Sequence, residues 1–170
     1  MTLRLPPTHR RKRDGHPAAA ASPYVREMIV ESPVALLIVA ADGARNAMTV
    51  SFFSEVAHHP TTLWVSVAQS TYTHTLIERA GAFSLAVLDR SQKDLAIACG
   101  TVSGRERDKC AALELYETSN GFLYLRHALA SSACRITRRI PVADHTLFVA
   151  SILAGDTESA RSRHLLTSDF

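Results

Sequence analysis

Short apolar runs, each halted by a turn signal before reaching helical length, constrain this chain more than any other feature. From Val34 to Ala40 the sequence is an unbroken stretch of Val, Ala, Leu and Ile, bounded by Pro33 and by Asp42–Gly43. Such a run predicts a buried strand followed by a tight turn. Residues 47–56 place Val50, Phe52 and Phe53 beside Thr49, Ser51 and Ser54, a second strand. Thr62 to Ala68 predicts a third, with Leu63, Val65 and Val67 on one face and Trp64 and Ser66 on the other. Phe83 to Leu88 and Thr146 to Leu153 read as further strands, and residues 113–140 as short, weakly defined ones around Leu123, Ala128 and Ile136. Two small helices interrupt the series. One runs from Thr73 to Arg79 and is closed by Gly81; the other runs from Gln92 to Cys99, opened by a capping box at Ser91–Asp94 and ended by Gly100. This order predicts a mainly β, barrel-like domain with short accessory helices, not a βαβ repeat.

Charge divides the chain. The formal charge is +3, and residues 1–22 hold Arg4, Arg10, Arg11, Lys12 and Arg13 against Asp14, a net of +4 that leaves −1 on the other 148 residues. Three prolines and an alanine run accompany this cluster, so residues 1–22 are expected to form a disordered basic arm. Ser22 and Pro23 suit the start of a short helix through Tyr24, Met28 and Ile29, and residues 23–170 are expected to form one domain. At 46% hydrophobic residues that domain can bury a core without a metal or disulfide staple. The basic pI of about 9.0 suggests an anionic partner, yet nucleic acid is disfavoured because the arm lacks the aromatic platforms such binding uses.

Other classes fall away. The longest apolar stretch, Pro33 to Ala41, is far below the roughly 18–20 residues of a membrane-spanning helix, so no membrane partner is expected. Ala18 to Ala21 is too short for a signal-peptide core. Cys99, Cys110 and Cys134 are odd in number and widely spaced, which fits reduced thiols in the cytoplasm. His58 and His59 precede Pro60 without a further ligand at metal-binding spacing, so no metal site is expected.

Four polar segments stand beside the apolar runs. Asn46 to Ser51 sets hydroxyls in an otherwise core-like strand, a pattern that half-exposed strands share. Ser70–Thr71–Tyr72–Thr73–His74–Thr75 packs four Ser and Thr hydroxyls and an imidazole at a helix start, where one cap would use a single hydroxyl. Free N–H groups there suit an anion, and hydroxyls add donors without repelling it. Ser103–Gly104–Arg105 allows close backbone approach, and Arg105 and Lys109 can reach phosphate oxygens; the same segment also reads as a solvated charged loop. Asp144–His145 places an imidazole at a strand mouth, where it can contact a cofactor or transfer a proton, or be structural only.

In their order, these pieces resemble the flavin reductase-like family of FMN-binding split barrels. The likeness rests on Ser32–Pro33–Val34, Asn46–Ala47–Met48–Thr49–Val50–Ser51, His59–Pro60, Thr73–His74–Thr75–Leu76, Gly81 to Leu88, Ser103–Gly104–Arg105 with Asp108–Lys109, and Asp144 to Val149. The family often has a glycine where Ala143 precedes Asp144–His145. What the resemblance implies is a six-stranded split β-barrel, usually a homodimer, with FMN (or FAD) near the subunit interface. It implies that Asn46, Met48, Thr49 and Ser51 line the flavin ring, partly through backbone groups, and that Ser70, Thr73 and His74 hold the phosphate end. Ser103, Arg105 and Lys109 would close over it, with His145 near flavin and nicotinamide. The implied activity is an NAD(P)H-dependent flavin reductase that moves a hydride from NADH or NADPH to flavin, with a monooxygenase as partner for the reduced product. The alternatives are a flavoprotein with tightly held FMN acting on another substrate, and an electron-transfer protein without nicotinamide turnover.

Overall fold

The computed structural model describes residues 31–157 and 163–170; the expected arm over 1–22 and the helix through Tyr24 to Ile29 lie outside them. The first run forms β1 (Ala35–Ala41) and pairs with β2 (Ala44–Val50) across the Asp42–Gly43 turn. Both turn residues have positive φ, 52° and 78°, the geometry that makes Asp-Gly a preferred hairpin turn. β3 (Phe53–His58) and β4 (Thr61–Ala68) follow, then helix α1 (Tyr72–Ala80) and β5 (Ala82–Val87). Next come α2 (Lys93–Thr101), a small hairpin of β6 (Leu115–Glu117) and β7 (Leu123–Leu125), and two long strands, β8 (Ala130–Val142) and β9 (His145–Thr157).

Seven strands share one sheet in the order β2-β1-β5-β8-β9-β4-β3. Its two outermost strands, β2 and β3, are joined by Ser51 and Phe52 alone. Two residues span at most about 7 Å, so the sheet must curl until its ends meet. The sheet is therefore a barrel, split where β2 passes to β3. The single strand expected over 47–56 is in fact this pair, bent at the seam. Counted as one bent strand, β2–β3 brings the sheet to the six strands the family resemblance implies.

β1 explains why its sequence run is continuous rather than alternating. Ala35, Leu37 and Val39 face the barrel interior, together with Val65, Val67, Phe83 and Phe148. Val34, Leu36 and Ile38 face a second apolar layer with Ala96 and Cys99 of α2 and with Leu165 of the C-terminal segment. That segment is stitched to the strand, since Val34 N–H donates to the Leu165 carbonyl at 2.8 Å and Leu165 N–H to the Leu88 carbonyl at 2.9 Å. Leu36, Leu37 and Ile38 are at most 1% exposed, each worth about 1.5–3 kcal/mol of burial.

Other expectations shift. The capping box belongs to Asp89 and Gln92 on a 3₁₀ turn before α2, not to Ser91. Gly100 lies inside α2, which runs one residue further to Thr101, and a Cβ there would sit in ordinary contact with the Thr49 side chain. The weak strands expected over 113–140 resolve into the β6–β7 hairpin and the thirteen residues of β8, with Ala128 outside any strand. α1 sits as predicted within a residue at each end, and Gly81 closes it in the left-handed region. Among the described residues, no helix is long and apolar enough to cross a membrane.

Candidate functional site

β2 is an edge strand, and the two helices flank it from opposite sides. Asn46 and Met48 point to the side of the barrel interior and α1, while Ala47 and Thr49 point toward α2, as period-two alternation requires. A cavity of about 300 Å³ opens where the N-terminus of α1, the C-terminus of α2 and the loop after α2 converge on β2. Its walls are Asn46 and Met48, Ser70 to Thr73, and Cys99 to Arg105 with Lys109.

The electrostatics favour an anion. Arg105 and Lys109 line the cavity, and among the described residues no carboxylate does. The first turn of α1 faces it, capped by Thr71, whose hydroxyl accepts from the His74 N–H at 3.2 Å, and that turn holds no acidic residue. The positive end of the helix dipole thus adds to the two cations. The opposing negative end, at the C-terminus of α2, is covered by Lys109, whose Nζ donates to the Cys99 carbonyl at 2.8 Å. Lys109 is 9% exposed, and burial lowers its pKa, with the Cys99 and Cys110 thiols partly offsetting that.

Asn46 marks the inner wall. It is 2% exposed; its Nδ2 donates to Thr73 Oγ1 at 2.8 Å, and its Oδ1 is buried with no partner. A buried amide oxygen without a donor costs about 1–3 kcal/mol, and such a group at a cavity wall suits a ligand N–H or O–H. Gly104 lies directly against that oxygen: a Cβ at 104 would come within 2.2 Å of it.

The structure brings Asn46, Met48, Ser70, Thr73, Ser103, Arg105 and Lys109 together around one cavity. Four other candidates are not on this cavity's wall. The Thr49 hydroxyl donates to the Ala96 carbonyl of α2 at 2.6 Å, and Ser51 sits in the link between β2 and β3. The His74 ring joins α1 to β9, with Nε2 2.8 Å from Thr146 Oγ1 and the ring 5.4 Å from that of Phe148. His145 is tied to Gln69, the residue before the lining Ser70, as the Gln69 side chain donates to its carbonyl and the Gln69 N–H to that of Asp144. Its Nδ1 is 2.8 Å from Asp144 Oδ1. That hydrogen bond holds the Asp144 carboxyl below its usual pKa, so the carboxylate accepts and Nδ1 carries the proton. The preceding Ala143 has φ 50°, a conformation that suits the glycine often found there.

Sequence reasoning passed over Tyr72, whose ring lies 5.3 Å from the Arg105 guanidinium; the lone aromatic among hydroxyls was the available signal. The three thiols are buried and unbridged. Burial raises Cys110 to about 11 and Cys134 to about 12, and the Asp108 carboxylate adds to the effect at Cys110. These thiols stay protonated at neutral pH and leave the chemistry of the cavity to other groups.

A split barrel with a cationic, hydrogen-bonding cavity at its edge strand defines a class of protein that binds an anionic small-molecule cofactor or substrate. The flavin reductase-like domain matches residues 27–169, and the chain belongs to that family. Its relatives include the NADH-dependent flavin reductase StyB of Pseudomonas fluorescens, 31% identical over 71% of this chain and 68% of its own length. The reductase component of the FADH(2)-dependent resorcinol hydroxylase of Rhizobium sp. (strain MTP-10005) is 32% identical over 74% of this chain and 69% of its own. An FMN-binding protein from Thermus thermophilus, solved with bound p-hydroxybenzaldehyde, superposes with a TM-score of 0.76 at 25% identity, covering 93% and 90% of the two chains.

The contact between Gly104 and Asn46 yields a coupled prediction. Gly104→Ala forces the loop off β2 and lowers unfolding stability by about 1–3 kcal/mol. Combined with Asn46→Ala the penalty shrinks, because the atom struck is gone. Urea unfolding of the two single variants and the double variant measures the coupling; strictly additive losses would disprove the contact.

Proposed function

We propose that this protein is an NAD(P)H-dependent flavin reductase that passes reduced flavin to a partner monooxygenase. The observation that carries this reading is the edge-strand cavity, with Arg105, Lys109, the α1 N-terminus and an unpartnered buried Asn46 amide oxygen, in a chain of this family. Relatives named as reductase components of hydroxylases support the monooxygenase partner.

The residues present fit a flavin mononucleotide. Arg105, Lys109, Ser103 and the first turn of α1 with Ser70 and Thr73 would hold its phosphate, a terminal anion that favours FMN over FAD. Asn46 and Met48 would meet the remainder, Asn46 supplying the acceptor its burial leaves unused. The chemistry such a flavin supplies is acceptance of a hydride from a reduced nicotinamide. The chain's own task is then to bind, orient and exclude water, which matches a cavity wall that, among the described residues, holds neither carboxylate nor imidazole. The His145 ring is held by the hydrogen bond between its Nδ1 and Asp144. Its role is to position the nicotinamide.

A homodimer through the outer face of β8, β9, β4 and β3 is part of this proposal. Ile140 lies opposite Leu147 and Leu147 opposite Ser66, and the Ser66 N–H donates to the Phe52 carbonyl, so one cross-strand row joins them. Phe52 is 62% exposed, Val142 54% and Ile140 40%, apolar side chains on this face that a second copy would cover beside His145. The three unbridged cysteines accord with a cytoplasmic setting, and residues 23–170 are taken as the domain that carries the activity.

Purified protein is expected to bind FMN and to oxidise NADH or NADPH when flavin is supplied, and to do so equally well without residues 1–22. No flavin binding would sink the family-based function; binding without nicotinamide oxidation under anaerobic conditions would leave an electron-transfer protein instead. His145→Ala is expected to slow nicotinamide oxidation at least about tenfold while sparing FMN affinity.

The pH dependence has a definite sign. Burial depresses Lys109 in the free protein, and a bound phosphate favours its charged form. FMN affinity therefore falls as pH rises through the free-protein pKa of Lys109, below the ordinary lysine value of about 10.4. Lys109→Gln weakens FMN at neutral pH and abolishes this alkaline limb, as FMN titrations over the range would reveal.

The dimer is testable by sedimentation equilibrium. Ile140→Glu with Val142→Glu is expected to give monomers; an unchanged mass in the variant, or a monomeric wild type, counts against that face.

A further inference from the structure

Arg105 is the most exposed of the cavity's cations and sits on the irregular loop after α2, where a long side chain has many orientations. Its sequence neighbours Glu106 and Asp108 carry carboxylates that do not line the cavity and would draw a guanidinium away from it, although Asp108 already pairs with Arg45 at 3.2 Å. Two contacts oppose that. One is a hydrogen bond from Nη1 to the Ser70 carbonyl, long at 3.4 Å. The other is the Tyr72 ring, 5.3 Å from the guanidinium carbon. Tyr72 opens α1, is half-buried and packs against the barrel's interior cluster, so it is the rigid member of the pair.

We propose that Tyr72 is a positioning residue: its ring holds the Arg105 guanidinium over the cavity and so sets the affinity for a phosphate monoester. This rests on the reading that the cavity takes a flavin phosphate. An aromatic face attracts a guanidinium through its quadrupole and leaves the N–H edge available for an anion. The ring itself carries no charge and offers the phosphate nothing directly beyond its hydroxyl. Its effect must therefore pass through Arg105, and it must vanish for a ligand that has no phosphate.

The experiment measures FMN and riboflavin dissociation constants by quenching of flavin fluorescence, without turnover. Tyr72→Leu keeps apolar packing but lacks the aromatic face; Tyr72→Phe keeps that face and lacks the hydroxyl. Wild type is expected to bind FMN more tightly than riboflavin. Tyr72→Leu should weaken FMN by about three- to tenfold and leave riboflavin unchanged, while Tyr72→Phe retains wild-type affinity for both. Tyr72→Leu added to Arg105→Ala should cost nothing further. Equal losses for FMN and riboflavin, undiminished FMN preference in Tyr72→Leu, or additive losses in the double variant would each overturn the proposal. A wild type that binds both flavins equally would overturn the phosphate reading itself, and is recognised before any variant is made.

Discussion

Burial of β1 on both faces is the constraint from which the rest of the structure follows. A strand whose alternate residues are all apolar cannot leave either side in water, so it needs the barrel interior on one side and a second layer on the other. Leu37 and Val39 take the first, with Leu76 and Ile77 of α1; Leu36 and Ile38 take the second, with α2 and Leu165. Both helices and the C-terminal segment are thereby recruited around one strand and its hairpin partner. The cavity is a consequence of that recruitment, because β2 is the edge where the two layers end.

At that edge the ends of two helices meet with opposite dipoles. The N-terminus of α1 supports an anion, and the C-terminus of α2 would repel one if Lys109 did not cover the Cys99 carbonyl. Lys109 keeps further N–H donors beyond the one so used. Asn46 then ties β2 to α1 through Thr73 and leaves one amide atom for a ligand. Positive charge is thus concentrated by fold geometry in a domain whose overall charge is close to neutral.

Local patterns were readable wherever one interaction dominated. Alternation in Thr62 to Ala68, the Asp42–Gly43 turn and the Gly81 cap all follow from steric rules that act over a few residues. Reading failed where distant partners decided. Nothing within 47–56 announces that Ser51–Phe52 crosses a barrel seam, since the break exists only because β2 and β3 pair with different strands. Gly100 resembles a helix stop, yet α2 continues one residue past it to Thr101. β8 looks weak in sequence, with Arg135, Arg138 and Arg139 among its residues, and is held by pairing with β5 and β9 rather than by its own pattern.

The same division runs through the site. Residue types sufficed to single out hydroxyls at a helix start, two cations after a glycine, and an imidazole next to a carboxylate, because those chemistries are local. Tertiary structure alone decided which of them share a cavity. Strand alternation turns Thr49 toward α2 while Asn46 and Met48 face the ligand side, and packing against β9 commits the His74 ring to Thr146. By itself the sequence determined a mainly β chain with an anion-receptive helix start. The enclosure of that start by Arg105, Lys109 and Asn46 depends on the sheet's closing on itself, a long-range event that no short stretch of sequence encodes.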